Sequence, residues 1–129
     1  MPDNRRELIK CRLESARECL NSAEVLLASK SYKDSIGRSY YAMFTAVRAL
    51  LAKDGVDYSK HAGVISYFQR EYIKTQKFEK KYSKYLSQAF QIRNNTDYAD
   101  FFVVSFEDAR EQADRAKEFL TAIEEFLKA

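Results

Sequence analysis

Beyond Pro2 the chain contains no proline, and only Gly37, Gly55 and Gly63 free its backbone anywhere along 129 residues. Proline and glycine are the residues that most often end helices and turn strands. A chain this poor in both is committed to long helices with short connections. Strand signals are nearly absent: "FFVVSF" (101–106) is apolar and β-prone but too brief and isolated to pair. No internal repeat or low-complexity segment interrupts the pattern. The length suits one domain with one core, spanning residues 1–129.

Apolar periodicity places five helices. The first should start near Asp3 or Asn4, either of which can cap it, with Glu7 three residues after Asn4. Its stripe is Ile9, Leu13, Ala16, Leu20, Ala23 and Leu27, the narrow seam of bundle packing. Cys11 falls opposite that seam. The second helix runs from about Tyr32 to Lys53. Ile36, Tyr40, Met43, Phe44, Val47, Leu50 and Leu51 give it a wider face, as expected of a helix with several neighbours, and Gly55 is placed to end it. A short third helix carries Val64, Ile65, Phe68 and Tyr72. The fourth spans roughly 77–97, with Phe78, Tyr82, Tyr85, Ala89, Ile92 and Thr96 on one side. In "SFED" Ser105 can cap the fifth helix and Asp108 can return the bond. Its stripe runs from small Ala109, Ala113 and Ala116 to large Leu120, Ile123 and Leu127. The expected fold is all-α: an up-and-down four-helix bundle with an additional short helix.

Composition excludes several classes. The longest apolar runs are far short of a membrane span. The opening "MPDNRRELIK" is charged, with no apolar signal region behind it, so the expected location is the cytoplasm. Cys11 and Cys19 lie on one helix with Cα atoms ~12 Å apart, too far for a disulfide. With His61 the only histidine, no metal-ligand spacing exists, and neither a metal nor another cofactor is expected. Net charge is +3, unevenly spread: residues 101–129 carry seven acids and four bases, which leaves +6 on the first hundred. Within "QREYIKTQKFEKKYSK" (69–84) six bases face two acids, either a solvated face or a surface that attracts a polyanion.

One stretch resists a purely structural reading. In "FQIRNNTDYADFF" (90–102) the apolar pattern breaks into Arg93, Asp97 and Tyr98. On a helix Arg93 lies about 50° from the centre of the apolar stripe and Asp97 about 40° further round. They form an i, i+4 pair on the shoulder between core and surface. A helix ending near Thr96 would let Tyr98 turn back beside Arg93. The second helix has a matching shoulder in Tyr41, Phe44 and Arg48, and aromatics mixed with arginine suit a subunit interface. The alternative is a structural ion pair at a helix end, with Tyr98 as a half-buried plug.

Four blocks, "GRSYYAMFTAVRALL" (37–51), "KHAGVISYFQREYIKT" (60–75), "IRNNTDYADF" (92–101) and "VSFEDAREQADRAKEFL" (104–120), resemble the HEPN family, in particular its small stand-alone prokaryotic members. The resemblance implies a helical homodimer paired with a minimal nucleotidyltransferase in a toxin–antitoxin arrangement. HEPN toxins are typically metal-independent RNases. Their hallmark is an arginine, then four to six arbitrary residues, then a histidine. In the chemistry this implies, the RNA 2′-OH attacks the adjacent phosphate while arginine steadies the phosphorane and histidine handles a proton.

Arg93 matches the motif arginine, but no histidine follows it. Tyr98 stands five residues on, where it could supply a hydroxyl or accept AMP from the partner enzyme. Candidate catalytic residues are therefore Arg93, Asp97 and Tyr98. Arg93, Arg48, Tyr41 and His61 are candidates for RNA or nucleotide binding. His61 opens the third helix, where it either caps and packs or reaches the site from another direction. Three functions follow: an RNA-cleaving or RNA-binding toxin controlled by a nucleotidyltransferase, a non-catalytic module that binds nucleotide or serves as that enzyme's substrate-binding partner, and a purely structural dimer.

Overall fold

The structure, a computed structural model, describes residues 4–98 and 103–128, with the backbone alone at 97 and 98. It is an all-α bundle of five helices among the described residues: α1 (Arg5–Ala28), α2 (Tyr32–Asp54), α3 (His61–Phe68), α4 (Lys80–Tyr98) and α5 (Phe106–Lys128). A π-helical turn, Gln69–Ile73, continues α3. Within "FFVVSF", residues 103–105 have no regular structure and 101–102 lie outside the described residues.

α2 is the axis of the bundle, and every other helix packs on it. This accounts for the width of its apolar face: Ile36, Tyr40, Met43, Phe44, Val47, Leu50 and Leu51 are all buried. Burying each of these side chains contributes about 1.5–3 kcal/mol. Ala109, Ala113 and Ala116 of α5 are fully buried, as small residues at a close helix approach should be, and Leu120 and Ile123 fill the core beyond them. A smaller cluster of Leu27, Ile36, Val104 and Ala109 closes the end where α1 turns into α2.

The helix ends explain the short connections. After α1, Lys30 takes a left-handed φ of 66°. Ser31 N–H then donates to Leu26 C=O (2.8 Å) and Lys30 N–H to Leu27 C=O (3.1 Å), a Schellman closure. α2 ends the same way on Gly55 (φ 73°). A side chain at Gly55 would also collide with the Arg5 guanidinium, 2.6 Å from where its Cβ would stand. The capping box of α5 is present, with Asp108 N–H donating to Ser105 Oγ (3.1 Å) and Ser105 N–H to Asp108 Oδ2 (3.4 Å).

Three details differ from the sequence reading. Asn4 precedes α1 but makes no side-chain cap bond. Its ψ of 2° is outside the extended region from which a capping side chain reaches back; Asp3 lies outside the described residues. α4 starts at Lys80, not near 77, because Gln76 adopts φ 64° and Phe78 N–H closes on Tyr72 C=O (2.9 Å). Phe78 is therefore a buried anchor ahead of the helix. Leu86, left out of the expected stripe, is fully buried, whereas Tyr82, Tyr85 and Ile92 are half-buried.

Candidate functional site

The site is assembled from α2, α3 and α4, and the loop before α3 aims it. Asp57 in that loop accepts a hydrogen bond from Tyr58 N–H (2.9 Å) and, through Oδ2, meets both Arg12 (3.3 Å) and Arg48 (3.2 Å). Arg12 also donates to Arg48 C=O (2.8 Å). Each exposed ion pair contributes only about 0–1 kcal/mol, but together they pin the loop to α1 and α2. Tyr58 folds over Gly63, where an added Cβ would stand 3.1 Å from the Tyr58 Cβ and 3.2 Å from its ring. Lys60 is extended and α3 begins at the next residue, His61.

The loop delivers His61 to the middle of α2. Its Nδ1 lies 2.9 Å from the Tyr40 hydroxyl. Its ring centroid is 4.2 Å from that of Phe44 and 5.9 Å from that of Tyr41, which it meets edge-on. Phe90 of α4 completes the aromatic setting at 6.2 Å. Arg93 enters from α4 with its guanidinium carbon 5.1 Å from the Tyr41 centroid and 5.8 Å from that of Tyr40, within cation–π range of both rings. Arg93 and His61 thus share the same two tyrosines although 32 positions separate them in sequence.

The electrostatics follow from this packing. Burial raises the Tyr40 hydroxyl well above the ordinary tyrosine range; Tyr41 adds to the shift and Arg93 opposes it, so Tyr40 stays protonated. Burial also lowers His61 below the usual histidine value, and the positive charges of Arg93 and Arg48 lower it further. His61 is therefore neutral at neutral pH. Its Nε2 has no hydrogen-bond partner among the described residues. The cluster combines a fixed cation, a neutral imidazole and a phenol.

Arg93, Tyr41 and His61 are brought together, with Arg48 close enough to His61 to act on its charge. Asp97 and Tyr98 belong to the last turn of α4, and their side chains lie outside the described residues. The helix runs through Tyr98 rather than ending near Thr96. On the α2 shoulder Phe44 is buried beneath His61, as its place in the apolar face requires, while Tyr41 and Arg48 are half-buried. The Tyr40 hydroxyl and the Asp57 brace were not anticipated. The signal for the first was present, because a tyrosine at a core position needs a partner for its hydroxyl. Among the described residues no three of His, Cys, Asp and Glu group as metal ligands would. Cys11 is exposed, and both cysteines are free.

Comparison with known proteins assigns the class. The profile of the HEPN domain matches residues 9–126, and the chain belongs to the HEPN family. It is 37% identical over 113 residues to a "UPF0332 protein" of Thermotoga maritima, covering 88% of this chain and 86% of that protein. It is 32% identical over 123 residues to "Putative toxin MJ0142" of Methanocaldococcus jannaschii, covering 95% and 83%. "Putative toxin MJ0605" of the same organism is 34% identical over 93 residues, covering 72% and 69%. No helix among the described residues is long and apolar enough to cross a membrane.

Proposed function

We propose that this chain is the toxin of a toxin–antitoxin pair, a homodimer that binds and cleaves RNA without metal and is controlled by a minimal nucleotidyltransferase. The observation that carries the reading is the approach of His61 to Arg93 across Tyr40 and Tyr41. The family's motif histidine does not follow Arg93 in the sequence, but an imidazole stands beside the arginine all the same. Two M. jannaschii relatives named as toxins support the system-level role.

The chemistry needs a proton acceptor for the 2′-OH and a cation for the phosphorane. His61 with its proton on Nδ1, donated to the Tyr40 oxygen, presents a lone pair at Nε2. That nitrogen takes the 2′-OH proton as the 2′-oxygen bonds to phosphorus. The P–O5′ bond breaks, and the 5′-oxygen recovers a proton from the imidazolium. The products are a 2′,3′-cyclic phosphate and a 5′-OH. Arg93, always charged, forks onto the non-bridging oxygens. In this reading Asp97 positions Arg93, Tyr98 at the end of α4 accepts AMP from the partner enzyme, and two copies of the Arg93 face meet at the dimer axis.

A second reading, a non-catalytic module that binds nucleotide or presents substrate to the nucleotidyltransferase, is favoured by the absence of a histidine after Arg93. Incubating RNA with the protein in chelator, beside Arg93→Ala and His61→Ala, separates the two. Cleavage by the parent and loss in both variants supports the RNase. Binding without cleavage supports the module.

A further inference from the structure

Tyr41 and Arg93 have a second set of neighbours. They form one end of an open cleft of about 390 Å³ that runs along the first half of α2 past Lys33, Asp34, Gly37 and Arg38. Helical spacing puts these residues on one face: Lys33, Gly37 and Tyr41 follow at i, i+4 and i+8, and Asp34 and Arg38 at i, i+4 beside them. The Arg38 guanidinium reaches toward the Tyr41 ring (5.9 Å) and the Cys19 sulfur (3.7 Å). Among the described residues no carboxylate lies within ion-pair distance of Lys33 or Arg38. Elsewhere in the bundle Arg17, Arg110 and Arg115 each hold a glutamate. The charged residues that line the cleft are Lys33, Arg38 and Arg93 against the single acid Asp34.

Gly37 is the independent observation. A glycine inside a helix weakens it relative to alanine, and such a residue is usually required by close packing. Here a Cβ at position 37 would meet nothing within 4 Å. The protein's own packing does not ask for glycine. A ligand lying against the α2 backbone at the floor of the cleft would.

We infer that this cleft binds the phosphodiester backbone of an RNA strand whose reacting phosphate sits at Arg93 and His61, with Arg38 and Lys33 holding the neighbouring phosphates. The inference rests on the proposed function and names the path of its substrate. Two guanidiniums around one tyrosine, followed by an ammonium further along, suit a repeating anion better than an isolated one. Asp34 opposes the ligand and limits affinity.

The test is binding of a labelled single-stranded RNA oligonucleotide in chelator across a salt series, with thermal unfolding of every variant. Gly37→Glu should unfold no lower than the parent and bind at least about tenfold more weakly, while Gly37→Ala unfolds higher and binds more weakly by a smaller factor, its methyl group standing where the ligand meets the α2 backbone. Arg38→Ala should lose about tenfold in affinity and shed about 0.7 from the salt slope. Asp34→Asn should tighten binding. If Gly37→Glu and Arg38→Ala bind RNA like the parent while Arg93→Ala is weakened, the cleft assignment is wrong and the proposed function stands. If the cleft variants lose RNA but the parent does not cleave, or Arg93→Ala and His61→Ala cleave unimpaired, the proposed chemistry falls and the cleft stands. AMP that competes at lower concentration than the oligonucleotide would mark a mononucleotide site and overturn the backbone assignment. A parent that binds no RNA overturns both.

Discussion

The 2.9 Å contact between His61 Nδ1 and the Tyr40 hydroxyl ties the first residue of α3 to the centre of α2. Because His61 is the only histidine, its ring gives a single set of titrating proton resonances. The midpoint should fall below the ordinary histidine value near ~6.5, for burial and the two cations all favour the neutral form. The unfolded chain then binds more protons than the folded one at mildly acid pH. The stability this group contributes is complete above pH ~6.5 and declines as pH falls through the folded midpoint. Arg93→Ala should raise the midpoint by removing a positive charge, and Arg48→Ala should raise it less. A midpoint that ignores Arg93→Ala would separate the arginine from the site.

A second carboxylate-centred contact governs the acid limb. Tyr72 (2.6 Å) and Tyr67 (2.8 Å) both donate to Oδ2 of Asp54 at the end of α2. Partial burial pushes the carboxyl up, but the hydrogen bonds from Tyr72 and Tyr67 and the Lys53 charge outweigh it and hold the group below its usual value. The resulting stability is present above pH ~4 and lost as pH falls through the folded value. Tyr72→Phe should cost about 1.5–3 kcal/mol at neutral pH and flatten the loss of stability toward acid. Denaturant unfolding at several pH values measures both.

The reciprocal bonds of Ser105 and Asp108 make a local test of the fold. Ser105→Ala should lower stability by about 1 kcal/mol, and Ser105→Asp should restore most of it, since aspartate also caps. Equal loss in both variants would show that the hydroxyl acts elsewhere.

How far such features can be read from sequence depends on how local their causes are. The α5 capping box and the Gly55 stop each depend on residues a few positions apart, and both are present as expected. The broad α2 face was legible because 3.6-residue periodicity reports how much of a helix is covered. The start of α4 was not, because it is set by a positive φ at Gln76, a residue with no marked preference for that region. The site divided along the same line. Arg93 and Tyr41 stood out as polar-aromatic shoulders, and His61 by being unique. Their union depends on Asp57, whose pull on Arg12 and Arg48 joins residues 45 and 9 positions away, and no periodicity carries that information.

Self-association bears on the site directly. The half-buried Tyr41, Arg48 and Arg93 face of α2 and α4 should be shared between two copies, and a stable pair buries at least ~1,000 Å² in total. Sedimentation at tens of micromolar should give a dimer, and Arg48→Glu together with Tyr41→Glu should give a folded monomer. A monomeric parent would place the candidate site on an isolated subunit.

The most direct test of the central claim is single-turnover cleavage of RNA in chelator by the parent, Arg93→Ala and His61→Ala, with helicity checked for each. The account predicts that the parent produces 2′,3′-cyclic phosphate ends. Each variant should stay folded and lose about 10²-fold or more in rate, the scale of a lost general base or charge-stabilising group. Folded variants that cleave at the parent's rate, or a parent that leaves RNA intact, would contradict it.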